Sequence, residues 1–196
     1  MTPQQFKDIW TSIDDNLSPL RYDKLVGLKL SKSTIDFLVI SGLPQDAAPF
    51  ISFCRDSNDK FDDINKLTTQ YDFLDIEYEK YIVIGSCSDG DPIAINIEKN
   101  DQIEWLDHDD LFASQFFNSS INSLAECLVI YRNFILTVKK ENGEDAYMNF
   151  DFTDLQFEKL KKDLILADNK ILEEKGFWYE QLEIELTLRL GNSNKN

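Results

Sequence analysis

The one histidine of the chain, His108, lies in the acidic run Asp107-His108-Asp109-Asp110 and is the first candidate for chemistry. A single histidine excludes sites that need two histidine ligands, such as an HExxH zinc site. A Ser–His–Asp triad would need a nucleophile, and no GxSxG motif is present. Carboxylate oxygens could bind Mg²⁺ or Ca²⁺, but DGDPIAIN at 89–96 lacks the spacing of an EF-hand loop. The run is therefore predicted to be a solvated acidic turn without a metal.

No other motif predicts catalysis. The chain contains neither a GxGxxG nor a GxxxxGK[ST] phosphate-binding loop. Its three cysteines, Cys54, Cys87 and Cys127, form no CxxC pair, which argues against a disulfide framework and a structural zinc site. Carboxylate pairs are common among 36 acidic residues, but nothing in the sequence indicates an apolar pocket that would raise the pKa of one of them. The sequence predicts a protein that is not an enzyme and has no cofactor.

Acidic residues are concentrated between Asp72 and Asp110. The whole chain has a formal net charge of −16, and this stretch holds twelve acids against two lysines, a local net charge of −10. Such a surface would be repelled by nucleic-acid phosphates but could bind a basic protein, with charge steering the encounter and aromatic residues anchoring the complex. The alternative, which composition leaves open, is a solvated face that only keeps the protein soluble. We predict an exposed partner-binding face formed by Asp89, Asp91, Asp101, Glu104, Trp105, Asp107, Asp109 and Asp110.

The elements that position this face can be predicted from hydrophobic spacing and capping residues. Thr2-Pro3 is typical of the start of a helix over 3–13, and Ser31 or Ser33 can cap a second helix that Gly42 ends. The run at 92–98 alternates isoleucine with Ala, Asn and Glu and predicts a strand buried on one face. Further strands are predicted at 50–54, 67–73, 78–84 and 102–106, with a turn at 85–91.

The C-terminal part of the chain has helical spacing. Ser119 or Ser120 can cap a helix that Glu141-Asn142-Gly143 ends, and a further helix is predicted over 153–174. The tail at 177–190 fits both helix and strand, and its Glu, Gln, Leu and Arg content favours helix. Helices, then strands, then helices predict an α+β fold. We expect one domain over 1–196, with helical parts 1–41 and 119–190 packed on a central antiparallel meander at 50–106.

Two features of the sequence bear on location. No run of about 18 apolar residues is present, which predicts that the chain does not span a membrane. The N-terminal residues MTPQQFKDIWTSIDD lack the basic region and apolar stretch of a signal peptide. We therefore expect a cytoplasmic protein.

Four segments in this order resemble one family. GLP at 42–44 precedes the aromatic strand FISF, and YIVIGSCSDGDPIAINIEKNDQIEWLDHDD at 81–110 is similar to the strand core of the SUKH superfamily, the Smi/Knr type of domain. FFNSSINSLAECLVIYRNFI and GFWYEQLEIEL resemble two helical segments of its bacterial immunity-protein branch. The resemblance covers about Leu30 to Leu190, and it rests on the ordered set because none of the segments is a signature by itself.

The resemblance implies a non-catalytic α+β domain that binds and blocks a cognate toxin of a polymorphic toxin system, often a nuclease or a nucleic-acid deaminase. Toxins of that kind have a basic cleft for phosphate, which an acidic protein could cover. The alternative is a regulatory interaction module of the Smi/Knr kind with no toxin partner. The resemblance implies structural roles for Gly85 in a tight turn after a strand, for Asn118 and Ser119 at a helix start, and for Trp178 in the core. It implies nothing for 142–152.

Overall fold

The computed structural model describes residues 1–87, 90–172 and 176–193, and it has the α+β fold predicted from the sequence. The helices are α1 (Pro3–Thr11), α2 (Tyr22–Leu25), α3 (Lys32–Ile40), α4 (Leu67–Gln70), α5 (Ile121–Asn142), α6 (Asp154–Ala167) and α7 (Phe177–Ser193), with 3₁₀ turns at Ile76–Lys80 and Ile97–Lys99. The strands are β1 (Leu17–Ser18), β2 (Leu43–Pro44), β3 (Asp46–Ala47), β4 (Ile51–Phe53), β5 (Asn65–Lys66), β6 (Tyr81–Ser86), β7 (Pro92–Asn96), β8 (Gln102–Asp107) and β9 (Ala113–Asn118).

Seven of these strands form one antiparallel sheet. Their order is β3-β4-β6-β7-β8-β9, with β5 paired to β6, so that β6 to β9 make a meander. The predicted antiparallel meander between N-terminal and C-terminal helices is confirmed. The sheet is wider than the predicted 50–106, because β9 adds a strand after β8. The sequence of β9, ASQFFN, has no alternation of apolar and polar residues by which it could be recognised.

The main core lies between the helices and the face of the sheet that we call the inner face. Phe6 of α1, Phe37 of α3 and Leu124 of α5 are fully buried there against Ile93 and Ile95 of β7. Helices α1, α3, α5 and α6 each follow an N-cap residue whose side chain accepts the backbone N–H of the residue three positions later. These N-caps are Thr2, Ser31, Ser120 and Thr153.

Helix α5 is the central helix of this core. Among the described helices, it alone has the length and apolar composition that could cross a membrane, and half of that stretch is buried inside the protein. Leu128, Tyr131 and Val138 are at most 1% exposed. Such burial is typical of a core helix in a globular domain.

Strand β7 is buried on both faces, so the prediction of a half-buried strand was wrong. Ile93 and Ile95 point into the main core, while Ala94 belongs to a second cluster on the outer face of the sheet together with Leu67 and Leu106. The outer face of the sheet is covered in part by a segment for which the sequence predicts a strand. Residues 67–70 form helix α4, and β6 begins only at Tyr81. The apolar side of α4 packs against the sheet, and this tertiary contact outweighs the local β preference of the segment.

Gly85 lies inside β6 and not in a turn, which corrects its predicted position. A Cβ at Gly85 would be 2.2 Å from the carbonyl oxygen of Ser52 in β4. The register of β6 and β7 shifts between Val83 and Gly85. Glycine is therefore required by the close approach of two strands at a bulge.

The C-terminal helices also differ from prediction in their limits. Helix α6 ends at Ala167, before the predicted 174, and the last predicted residues of that helix lie outside the described residues. The tail is the helix α7, as favoured. The connection at 142–152, whose role the sequence leaves open, carries buried Ala146 and Phe152. Phe152 stacks on Phe157 of α6 at 5.5 Å, so this connection fixes α6 against α5.

Candidate partner-binding surface

The acidic turn Asp107–Asp110, between β8 and β9, is stabilised by hydrogen bonds between its backbone and the side chain of Asp107. Oδ1 of Asp107 accepts the backbone N–H groups of Asp109 and Asp110 at 3.0 and 3.1 Å. Asp109 is 93% exposed at its side chain, and Asp110 is exposed too. The turn therefore presents carboxylates to solvent on a fixed backbone.

Asp91, the residue before β7, anchors this turn. Its carboxylate accepts the indole N–H of Trp105 and the backbone N–H of His108, both at 2.9 Å, and contacts Nδ1 of His108. Burial alone would raise the pKa of Asp91, but the hydrogen bonds from His108 and Trp105 outweigh it and keep the pKa below its usual value. The hydrogen bond to Asp91 raises the pKa of His108. Asp91 is 6% exposed, so its predicted place on an exposed face is wrong.

Asp101 and Glu104 are also buried, at 5% and 1% exposure, and their predicted exposure is wrong for the same reason. Asp101 accepts the backbone N–H of Ser31 at 2.8 Å and the hydroxyl of Thr34 at 2.7 Å, which ties the β7–β8 turn to the start of α3. Each carboxylate is surrounded by donors, as a buried charge requires. Glu104 accepts from Asn96, Lys99 and Gln102.

The remaining predicted surface residues fall into three groups. Asp89 lies outside the described residues. Trp105 is half-buried, with its ring packed at the edge of the main core and its N–H used by Asp91. Asp107 is half-buried, and Asp109 and Asp110 are exposed. Of the eight predicted residues, the structure brings these last three together at one turn.

Aromatic residues and one leucine lie beside the turn and are not among the eight predicted surface residues. Tyr71 contacts three rings, with centroid distances of 6.1 Å to Phe61, 6.1 Å to Phe73 and 4.8 Å to Phe112. Tyr78 lies 6.3 Å from Phe112 and donates its hydroxyl to the carbonyl of Leu111 at 3.0 Å. We call this set the outer aromatic patch: Phe61, Tyr71, Phe73, Tyr78, Leu111 and Phe112.

The signal for the patch is present in the sequence but weak. The segment YDFLDIEYEK at 71–80 places aromatic and acidic residues next to each other. The predicted strands at 67–73 and 78–84 cover its two ends, and a strand would alternate those side chains between two faces. The turns that the structure shows there put Tyr71, Phe73 and Tyr78 on the same side of the sheet, next to Phe112.

A second cluster of polar residues joins the C-terminal helices to the sheet. Asn118, at the end of β9, accepts the indole N–H of Trp178 at 3.0 Å and donates to Asp168 at 3.3 Å. Asp168 also accepts the backbone N–H and the hydroxyl of Ser119. Asn118 and Trp178 are 0% exposed, and Asp168 is 4% exposed. Three residues for which the resemblance implies structural roles therefore meet in one buried network, and Asp168 is the partner that the sequence did not indicate.

The described residues offer little to an enzymatic reaction. Burial raises the pKa of the Cys54 thiol to about 12, and burial also raises the pKa of Cys127. Within residues 1–87, 90–172 and 176–193, no three His, Cys, Asp or Glu side chains are arranged to hold a metal ion.

A comparison with protein families decides what the chain is similar to. The model of the family described as "SUKH-4 immunity protein" matches residues 20–184, which is most of the chain. The chain belongs to the SUKH-4 immunity protein family. The match includes the whole sheet, the acidic turn and the Asn118–Asp168–Trp178 network. No curated protein and no solved structure matches the chain.

Membership in the family bears on the role and the partner of the chain. Immunity proteins are generally non-catalytic, and each acts on a cognate toxin. An immunity role and a toxin partner therefore follow for this SUKH-4 protein. The resemblance seen in the sequence to the SUKH immunity branch is confirmed.

Proposed function

We propose that this SUKH-4 protein neutralises a toxin that acts on nucleic acid, a nuclease or a nucleic-acid deaminase, by covering its basic substrate cleft with the acidic turn. The observation that carries the proposal is the turn itself. Asp109 and Asp110 are exposed, and the backbone that bears them is fixed by Asp107 and by the contact of His108 with Asp91. A toxin that binds phosphate needs a basic cleft, and an acidic surface is complementary to it.

Charge at this turn would act mainly on the encounter of the two proteins. Exposed charges more than about 8 Å apart are largely screened at physiological salt. Mutations of charges at the edge of an interface therefore change the association rate and its salt dependence more than the dissociation rate. We place the encounter in the cytoplasm, where such a toxin would meet its nucleic-acid substrate.

The first experiment tests neutralisation. The toxin domain encoded beside this gene is produced alone and together with the protein, and growth and nucleic-acid damage are measured. We expect growth to be restored by the protein and the purified pair to form a complex. A toxin that stays active in the presence of an excess of the folded protein would contradict the immunity role.

The second experiment tests the acidic turn. The double variant Asp109→Asn/Asp110→Asn is compared with Asp145→Asn/Glu183→Gln, which removes the same amount of charge at exposed positions outside the turn. We expect the first pair to associate roughly 10-fold more slowly at low salt, with a weaker salt dependence, and the second pair to bind like the parent. Equal association rates for the two double variants would show that the turn does not steer the encounter.

A further inference from the structure

The outer aromatic patch differs from the other exposed apolar residues of the protein because its rings contact one another. Phe61 is 55% exposed, Phe73 is 74% exposed and Leu111 is 81% exposed. Beneath them, Tyr71 joins Phe61, Phe73 and Phe112 through ring contacts of 4.8 to 6.1 Å. A contiguous exposed apolar area of this kind marks an interaction surface more often than scattered residues do.

The backbone holds Leu111 outward. Leu111 and Phe112 both have positive φ, 51° and 58°, a conformation that non-glycine residues rarely adopt. Phe112 is buried at 6% exposure and fills the outer cluster, whereas Leu111 gains no burial from its conformation. The hydroxyl of Tyr78 donates to the carbonyl of Leu111 and stabilises this arrangement. The protein thus keeps a large apolar side chain in solvent directly after Asp109 and Asp110.

Several exposed carboxylates lie around the patch. Asp72 and Asp75 are exposed beside Phe73, and Asp110 is exposed beside Leu111. None of these three carboxylates has an ion pair with a residue in the described part of the chain. Lys60 also lies at the patch, with its Nζ 4.9 Å from the centroid of the Phe61 ring, and it donates to the carbonyl of Gln70.

The exposed rings and the carboxylates without ion pairs together indicate which kind of partner would bind. Aromatic rings bind apolar side chains and also cations over their faces, and Lys60 already uses the Phe61 ring in that way. Unpaired carboxylates around the rings favour a surface that supplies lysine and arginine. A second copy of this chain is a poor occupant, because each copy has a net charge of −16.

We propose that the outer aromatic patch is the anchor of the complex, and that its occupant is the basic cleft of the toxin, with arginine or lysine side chains over the rings of Phe61 and Phe73. The proposal rests on the proposed function and assigns a separate kinetic role to each of the two surfaces. The acidic turn sets the association rate, and the patch sets the dissociation rate. Aromatic residues in a surface that becomes desolvated are the usual anchors of protein interfaces.

The test uses two variants with matched controls. Phe73→Ala is compared with Phe50→Ala, since the two rings are 74% and 76% exposed, and Leu111→Ala is compared with Leu155→Ala, since the two leucines are 81% and 82% exposed. Binding to the catalytically inactivated toxin domain encoded beside the gene is measured by surface plasmon resonance at two salt concentrations. Thermal unfolding of each variant is measured, and the free parent and the free Phe73→Ala variant are sedimented at several concentrations.

We expect Phe73→Ala and Leu111→Ala each to dissociate at least about 10-fold faster with the association rate nearly unchanged, and both control variants to behave like the parent. Parent binding without an effect of either patch variant would overturn the patch as the anchor and leave the proposed function standing. Failure of the parent itself to bind the toxin would overturn both. A concentration-dependent dimer of the parent that Phe73→Ala abolishes would assign the patch to a second copy and would also overturn the proposal.

Discussion

Asp101 and Asp109 lie in the same acidic stretch, and the sequence predicts one role for both, but the fold gives them different roles. Asp101 is 5% exposed and accepts hydrogen bonds from Ser31 and Thr34 at the start of α3. Asp109 is 93% exposed at its side chain and lies 3.5 Å from Nε2 of His108. The net charge of a segment therefore does not tell which of its carboxylates are available to a partner, since that depends on donors that arrive from elsewhere in the chain.

Aromatic residues show the same contrast across the sheet. Trp178 is 0% exposed, donates to Asn118 and contacts Phe117 edge to face at 5.9 Å. Phe73 is 74% exposed and contacts only the edge of the outer cluster through Tyr71. The Trp178 ring is part of the core that packs α7 on the sheet, whereas the Phe73 ring buries little of the protein surface.

The largest effect is expected at Trp178. Trp178→Ala should lower the free energy of unfolding by about 3–5 kcal/mol, because it leaves a cavity and removes the donor to Asn118. Phe73→Ala, the matched aromatic truncation, should change it by no more than about 0.5 kcal/mol. Urea denaturation followed by circular dichroism measures both values. A Trp178→Ala protein as stable as the parent would break the contrast between core and surface rings.

A smaller difference is expected between the two carboxylates. Asp101→Ala should cost about 1–3 kcal/mol, since it leaves the backbone N–H of Ser31 and the buried hydroxyl of Thr34 without their acceptor. Asp109→Ala should stay within about 0.5 kcal/mol of the parent. Chemical denaturation of the parent and of the two variants under the same conditions measures both changes in the free energy of unfolding. Equal losses at the two positions would mean that Asp109 also has a structural role.

The pH dependence of stability sharpens the comparison at Asp91 and His108. The raised pKa of His108 means that its contact with Asp91 stabilises the fold fully below the unfolded value near 6.5, and that this contribution is lost as pH rises through the folded pKa. The lowered pKa of Asp91 contributes above its unfolded value near 3.8, and this contribution is lost as pH falls through the folded pKa.

The measurement is the urea midpoint from pH 3 to about pH 9 for the parent and for His108→Asn. We expect the parent to lose a small part of its stability above about pH 6.5. The variant should lack this loss but keep part of the loss at acid pH, because the backbone N–H of residue 108 and the indole of Trp105 still donate to Asp91. A parent and variant with the same profile above neutrality would show that the contact between His108 and Asp91 does not contribute.

The smallest effect is expected from chelation. Among the described residues no carboxylate cluster is arranged to bind a cation, so the fold should not depend on a metal. EDTA should leave the melting temperature unchanged within error. A decrease of several degrees, reversed by Ca²⁺ or Mg²⁺, would show that the exposed acids of the turn have a ligand-binding role as well.

The sequence predicts those elements of the fold that depend on neighbouring residues. N-capping side chains mark the starts of α1, α3, α5 and α6, and the isoleucines of 92–98 mark a strand. These signals are local because a cap acts within one helical turn and strand alternation is a property of consecutive residues. The strand β9 and helix α4 have no comparable signal, and their conformations follow from packing against β8 and against the outer face.

For the candidate surface, the sequence by itself determined the charge, the single histidine and the family-like order of segments. The tertiary structure decided which charges are exposed. Asp101 meets Thr34 across 67 residues and Asp168 meets Ser119 across 49, and no local pattern encodes such pairs. The physical reason is that a carboxylate can leave water only where donors replace its hydration. Those donors come from distant parts of the chain, so the division between buried structural acids and solvent-exposed acids exists only in the folded protein.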